Sequence, residues 1–463
     1  IINKDGMEIS YRNLYGEAIK LSKKLLECNS NVLVLCSNKI EFAIASFACW
    51  FANKTVIPID IRLSSYEINN IAQFCNANTV ITEYEINTTS LEICNIIISE
   101  YTICSSSFDI IEDIYHLPIN LNNNNAMLFP TTGTTSDPKY VILSHENIIS
   151  EIECVRDTFN ADKTTCELII IPLTTVTGSI GQLLLILNAG GRLVLNNSKL
   201  NPKKLFDLIE KYEVSITGCS PTILAAILNY KRLNMAKIKS LKAILLGGEQ
   251  VNSAQVIQFR KIMKFENIIP VYGLTEACSM VTGSMLDECR ERAVSRVLPI
   301  FNLKICDQKG MECSLNTKGE IYISGPSVTT GYYRNERFTN QTIVDGWLKT
   351  GDIGYLDQDG YLYIVGRMKN IIIVAGKNVH TEEVEEFLIS CPQILEAKAY
   401  SQPHEVLGEI LAADIVVKKE CSINKEEIIN YCKKGLASYK IPQKINIVSK
   451  INTIGMGKKQ RRQ

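Results

Sequence analysis

Leu128–Lys139 reads LFPTTGTTSDPK: an apolar approach, five hydroxyl side chains around one glycine, then an Asp-Pro step and a lysine. Ala126–Phe129 is a short apolar run of the kind that forms a buried strand. That places the turn at a strand's carboxyl end, where open α/β sheets bind ligands. Backbone amides freed by a glycine-containing turn, with Ser/Thr hydroxyls beside them, make a concave donor set for polyphosphate oxygens. Lys139 adds a point positive charge. The ordinary nucleoside-triphosphate loop is excluded, because Pro138 stands in the place of its second glycine and Tyr140 in that of its Mg-binding hydroxyl. Taken alone, a loop of this composition is as readily a Thr-rich surface turn.

Outward from the loop, the pattern alternates. Upstream, Val32–Cys36, Thr55–Asp60 and Val80–Thr82 read as strands, with helices over Glu41–Asn53 and Ser65–Ala77, the latter capped by Ser64 or Ser65. Residues 83–125 have weaker periodicity and end in the polar run Asn122–Asn125. Downstream, strands are expected at Leu168–Pro172, Arg192–Leu195, Val214–Gly218, Leu241–Leu246 and Ile268–Tyr272. Helices are expected at Asn147–Phe159, Ile180–Asn188, Pro202–Tyr212, Pro221–Tyr230 and Ser253–Lys264. Strand–helix alternation of this kind predicts parallel βαβ units with helices on both faces, here two doubly wound subdomains. Residues 302–365 change to short β runs with Gly/Asp turns, notably Asp359-Gly360, and read as a small β-barrel. Beyond Gly366 comes a mixed α+β stretch with helices Thr381–Ser390 and Lys425–Lys434, large enough for a lobe of its own. The expected division is a large α/β domain over residues 1–366 and a small mobile domain over 367–463.

Composition narrows the function. A chain of 463 residues with 46% hydrophobic content is too long for one compact core. Formal net charge is zero, which removes an electrostatic case for nucleic acid or an anionic membrane. The basic tail Lys458–Arg462 reads mostly as a solvated terminus. Sixteen cysteines without a CxxC pair or a Cys/His cluster suit reduced thiols in a cytoplasmic protein. No apolar run approaches the length of a membrane span, and no leader pattern precedes the first helix. The chain opens at Ile1 on what reads as the edge of a folded unit, so residues are expected to precede it.

The phosphate-type loop has company in fixed order. TTGTTSDPK is followed by LLGGEQV at Leu245–Val251, VYGLTE at Val271–Glu276 and KTGDIG at Lys349–Gly354. GRMKNIIIVAGKNVHTEEVE at Gly366–Glu385 and GMGK at Gly455–Lys458 complete the set. This ordered set, spanning nearly the whole chain, resembles the adenylate-forming superfamily of acyl-CoA synthetases, adenylation domains and luciferases.

The resemblance implies ATP and Mg²⁺ as cofactors and assigns roles residue by residue. Thr131, Thr132, Gly133, Thr134, Thr135 and Lys139 would grip the β and γ phosphates, with Thr131 also close to the chemistry. Gly247, Gly248 and Glu249 would form the adenine pocket, and Tyr272 would stack on the base. Gly273, Thr275 and Glu276 would bind a phosphate oxygen and the metal, Glu276 being the metal ligand. Asp352 would accept both ribose hydroxyls, with Ile364 and Arg367 bracing the nucleotide from the domain junction. Lys458, between flexible glycines in an otherwise unstructured tail, would reach the α-phosphate in the transition state. Lys369 falls at the hinge about which the small lobe turns, and Val374–His380 would line the thiol channel. Thr381 stands where the family often has proline.

For the acid, Thr174, Thr175, Val176, Gly178, Gly247 and Ala277 are the expected pocket residues. The stretch from Pro172 to Gln182 holds no aromatic, histidine or acidic side chain. A buried α-ammonium would lack a counter-charge there, which favours a neutral aliphatic or aryl acid over an amino acid. GGEQ is similar to the amino-acid-activating branch and YGLTE to the acyl and aryl branch, so both stay open. Two readings share every motif: a ligase that passes the acyl group to coenzyme A, and an enzyme that loads the phosphopantetheine of a carrier protein. The chain ends shortly after Lys458, so any carrier is expected to act in trans. A non-catalytic nucleotide-binding protein is the third reading.

Overall fold

In the computed structural model, the described residues are all but 84–93, 99–123, 132–138, 198–200, 229, 231–233, 250, 252, 285–289, 291–292, 369–370, 375–376, 405–407, 420, 452, 455–457 and 460–463. Two large sheets dominate. The first runs, edge to edge, Gly331–Tyr332, Lys139–Ser144, Asn125–Thr131, Thr55–Pro58, Asn31–Leu35, Ala77–Thr82 and Cys94–Ile97. Its strands from Asn125–Thr131 onward pair in parallel. The second is parallel throughout: Ile2–Asn3, Arg192–Leu195, Cys166–Ile169, Ile216–Cys219, Ala243–Leu246 and Ile268–Pro270. These are the two doubly wound units the alternation predicts, with one exchange: Ile2–Asn3 lies against Arg192–Leu195 of the second sheet.

Helix placement follows local chemistry. Ser64 closes a capping box with Glu67, which decides between the two serines and starts the helix Ser65–Cys75. Ser144 does the same with Asn147, so that helix begins at His145, two residues earlier than its apolar pattern suggests. The apolar residues of Tyr11–Leu25 pack on Ile40–Phe51. The expected helix over Ile180–Asn188 is longer and irregular: Val176–Gly178 is α-helical, Ser179–Leu184 is π-helical and Leu185–Asn188 is α-helical.

The β-rich region is a five-stranded antiparallel sheet: Asn302–Cys306, Gly319–Ser324, Trp347–Leu356 and Ile343–Val344 in order, with Leu362–Arg367 also on Trp347–Leu356. One hydrophobic cluster runs from Ile9 to Leu362 and joins this sheet to the two large ones. Ile372, Val384, Leu388, Ala399, Leu411 and Ile445 belong to a separate cluster, built on the long hairpin Ile394–His404/Gly408–Val417.

The Thr-rich run follows the strand Asn125–Thr131, as expected, and a strand the sequence did not signal, Lys139–Ser144, pairs antiparallel with it. The cause is the apolar, β-prone run in KYVILS, whose Tyr140, Val141 and Leu143 are buried. One expectation needs correction: Lys458 is not in unstructured chain. Lys458–Lys459 pairs antiparallel with Thr453–Ile454, because Thr453 and Ile454 offer a β-prone partner just upstream.

Candidate nucleotide site

The hairpin places Thr131 opposite Lys139, the last pair before the connection 132–138. The residues between, including Thr132, Gly133, Thr134 and Thr135, lie outside the described ones. Lys139 is half-buried and its Nζ sits 3.4 Å from the centroid of the Phe338 ring. That geometry stabilises an ammonium by its attraction to the ring face.

Tyr272–Ala277 follows the strand Ile268–Pro270 and ends in the single 3₁₀ turn Thr275–Ala277. Gly273 is required by a close backbone approach: a Cβ there would lie 1.5 Å from the Ser279 carbonyl oxygen. The chain can make this crossing because Cys278 takes φ of 61°. Glu276 is held twice, its carbonyl accepting from the Thr329 N–H at 2.8 Å and its Oε1 from the Tyr332 hydroxyl at 2.8 Å. Burial and the facing carboxylate hold the Tyr332 phenol well above its ordinary range, so it stays a donor. Glu276 Oε2 has no hydrogen-bond partner among the described residues. One accessible carboxylate oxygen suits Mg²⁺, which is usually held by one or two carboxylates together with phosphates.

Asp352 is the most enclosed charge of the site, 3% exposed. Register puts it directly across from Arg367. Arg367 Nε donates to its Oδ1 at 2.6 Å and the Tyr272 hydroxyl to its Oδ2 at 2.7 Å. The Asp352 N–H donates to Thr350 Oγ1 at 3.0 Å, which fixes the turn that presents the carboxylate. Each carboxylate oxygen keeps lone-pair capacity for one more donor, as a ribose diol would need. Tyr272 is nearly buried with its hydroxyl turned to Asp352, so it supports that carboxylate whatever else it touches. Ile364, half-buried, pairs with Gly354 on the same two strands.

Gly248, with φ of 80°, and Gly247 follow the strand Ala243–Leu246, and Glu249 Oε2 accepts from Thr222 Oγ1 at 2.8 Å. In the expected acid pocket, the Thr175 hydroxyl donates to the Pro172 carbonyl and accepts from the Gly178 N–H, capping the helix it precedes. Its polar atom is therefore spent locally. Val176, Gly178 and Ala277 are buried, and Thr174 is half-buried. Ala277 follows Glu276 directly in the turn Thr275–Ala277. Lys369 and the Lys458 side chain lie outside the described residues.

Sequence reading missed Tyr332 and Phe338. For Tyr332 the available signal was GYYRN, an aromatic pair after a glycine at the edge strand Gly331–Tyr332 beside the Lys139 hairpin; Phe338, in the helix Glu336–Thr342, had none. It also missed Glu151, fully buried behind the turn, whose Oε1 accepts from the Met280 N–H at 2.7 Å and whose carboxyl is pushed up to about 8 by burial.

Among the described residues no His/Cys/Asp/Glu group is arranged as a metal centre, and no helix is long and apolar enough to cross a membrane. The chain matches the family model for AMP-binding enzymes over residues 1–333, and that for the AMP-binding enzyme C-terminal domain over 383–458. It is 30% identical over 354 residues to a long-chain-fatty-acid–CoA ligase of Yersinia pestis, covering 75% of this chain and 62% of that protein, less than two thirds of the relative. It is 27% identical over 441 residues to an oxalate–CoA ligase of Arabidopsis thaliana, 92% of this chain and 86% of that protein. ATP-bound MatB from Rhodopseudomonas palustris has the same fold, with a TM-score of 0.91 at 22% identity over 99% of this chain and 93% of that one. With the family model matched over residues 1–333, well over half of the chain, the chain belongs to the AMP-binding enzymes.

Proposed function

We propose that this protein is an ATP-dependent acid–thiol ligase. A carboxylate oxygen attacks the α-phosphorus of ATP, pyrophosphate leaves, and the resulting acyl-adenylate is attacked by a thiol, which takes the acyl group and releases AMP. The observation that carries this reading is the enclosed Asp352, held by Arg367 and Tyr272 with both oxygens still able to accept. A carboxylate braced from both sides but not saturated is what a ribose diol requires.

In this reading Thr131, the run 132–135 and Lys139 hold the β and γ phosphates, with Thr275 contributing a hydroxyl. Glu276 is the ligand for Mg²⁺, which would supply charge neutralisation on the phosphates. The turn 247–249 and Gly273 let the base lie close to backbone. Lys458 delivers a cation to the α-phosphate, a kind of contribution worth orders of magnitude in rate. Residues 1–366 form the large domain and 367–463 the small one, turning at Lys369. Val176, Gly178 and Ala277, apolar and buried, line the acid pocket with Thr174 and suit a neutral aliphatic or aryl acid.

Coenzyme A is the acceptor in this reading, because both relatives named above are CoA ligases. The test is product analysis with a panel of acids, ATP, Mg²⁺ and coenzyme A. AMP, pyrophosphate and acyl-CoA in equal amounts support the proposal. Acyl-AMP that accumulates with coenzyme A but is discharged onto a holo-carrier protein would move the acceptor to the carrier. ADP and phosphate would end the reading.

A further inference from the structure

Lys139 and Glu276 carry opposite charges and, in the reading above, face the same triphosphate. Without nucleotide such a pair is drawn together, and an ion pair formed there would have to break before each side chain could bind its ligand. Among the described residues neither enters an ion pair. Aromatic side chains stand at both positions instead. The Lys139 ammonium lies 3.4 Å over the Phe338 ring, Phe338 packs edge-on to Tyr332 with centroids 4.6 Å apart at 63°, and the Tyr332 hydroxyl donates to Glu276 Oε1.

Backbone contacts fix each member of this row. Tyr332 pairs with Val141, two residues along the strand from Lys139. Its N–H donates to Thr339 Oγ1 at 3.0 Å, and Asn335 Oδ1 accepts from the Phe338 N–H at 3.1 Å, so the two rings are set by one short turn and helix. The Thr329 hydroxyl donates to the Gly331 carbonyl while its N–H holds Glu276, tying the aromatic strand to the carboxylate's turn.

We propose that Tyr332 and Phe338 are positioning residues that keep Lys139 and Glu276 apart by giving each a neutral aromatic partner, so that both remain open to the magnesium–triphosphate in the free enzyme. The inference rests on the nucleotide reading of Lys139 and Glu276. A ring face attracts an ammonium without neutralising it, and a phenol donates to a carboxylate without removing its charge. A triphosphate can therefore displace the first contact and a metal can share the second.

The test is acid-dependent pyrophosphate–ATP exchange by the full chain, with thermal unfolding of every variant as the control for folding. Phe338→Leu is expected to raise the KM for MgATP about 10-fold with kcat within about 3-fold, and Phe338→Trp, which restores a ring face, to return KM to within about 3-fold of the parent. Tyr332→Phe is expected to raise the Mg²⁺ concentration for half-maximal rate about 5-fold while leaving the KM for the acid unchanged. Parental KM in Phe338→Leu, or a Phe338→Trp no better than Phe338→Leu, would overturn the inference if Lys139→Ala still raises the KM for MgATP. If Lys139→Ala and Glu276→Gln both behave as the parent, the nucleotide reading itself is wrong and the inference falls with it.

Discussion

Replacing Asp352 by Asn tests the ribose contact while keeping the side chain's shape. Asp352 Oδ1 takes Arg367 Nε at 2.6 Å and Oδ2 takes the Tyr272 hydroxyl at 2.7 Å. An asparagine keeps the shape and, with its amide oxygen toward Arg367, turns its NH₂ toward the Tyr272 oxygen. Asp352 is buried while the Arg367 side chain is 45% exposed, so the folding cost is that of weakening charge-assisted hydrogen bonds, about 1–3 kcal/mol, and unfolding of the variant is measured alongside. The nucleotide feels the change as well. Both ribose hydroxyls lose a charged acceptor, and the one on the amide side meets a donor instead. Hydrogen bonds to charged groups contribute about 1.5–3 kcal/mol, so a net loss of about 2 kcal/mol raises the KM for ATP about 30-fold. Pyrophosphate exchange measured with ATP, 2′-deoxyATP and 3′-deoxyATP isolates the pairing. The parent should discriminate against at least one deoxy form by about 10-fold or more, and Asp352→Asn by about 3-fold or less. Discrimination equal to the parent's would refute the assignment of Asp352 to the ribose.

Lys458→Ala should lower acyl-adenylate formation by about 10²- to 10⁵-fold while ATP binding by calorimetry changes little; normal pyrophosphate release would remove its role. Gly273→Ala puts a methyl group 1.5 Å from the Ser279 carbonyl oxygen, a clash with backbone that no side chain can relieve. It should cost about 3 kcal/mol or more in denaturant unfolding, and a parental midpoint would contradict the close approach. Burial pushes the carboxyls of Glu151 and Glu167 up to about 8 from the usual carboxylate range. A raised folded value means the native state holds protons that the unfolded state releases, so stability from these groups is complete below about pH 4.5 and declines as pH rises toward about 8. Urea midpoints across that window should slope less in Glu167→Gln than in the parent, and an unchanged slope would exclude Glu167 as a source.

The sequence was most legible where one period served one purpose. The strands Asn31–Leu35 and Thr55–Pro58 and the helix Pro202–Tyr212 follow directly from apolar runs, proline at a first turn and side-chain caps. It was least legible where tertiary pairing decided the outcome. KYVILS is six residues long and could extend either a strand or the following helix; its pairing with Asn125–Thr131 decided for strand, and the Ser144 cap set the boundary. The same holds for the site. Asp352 and Arg367 are fifteen positions apart, yet a bulged antiparallel register brings them opposite each other. Tyr332 and Phe338 belong to no motif singled out from sequence, because their partners Glu276 and Lys139 lie 56 and 199 positions away and only the folded edge strand with the short helix after it joins them. Thr175, expected in the acid pocket, also caps the short helix it precedes, a local role its sequence pattern did not announce.

The claim beneath all of this is that the protein joins an acid to AMP. Exchange of labelled pyrophosphate into ATP, run with enzyme, Mg²⁺ and a panel of carboxylic acids but no thiol, measures that step alone. The account predicts label in ATP that depends on one class of acid and on Mg²⁺, and that is lost in Lys458→Ala. No acid-dependent exchange from folded, ATP-binding protein, or label incorporated equally without acid, would contradict it.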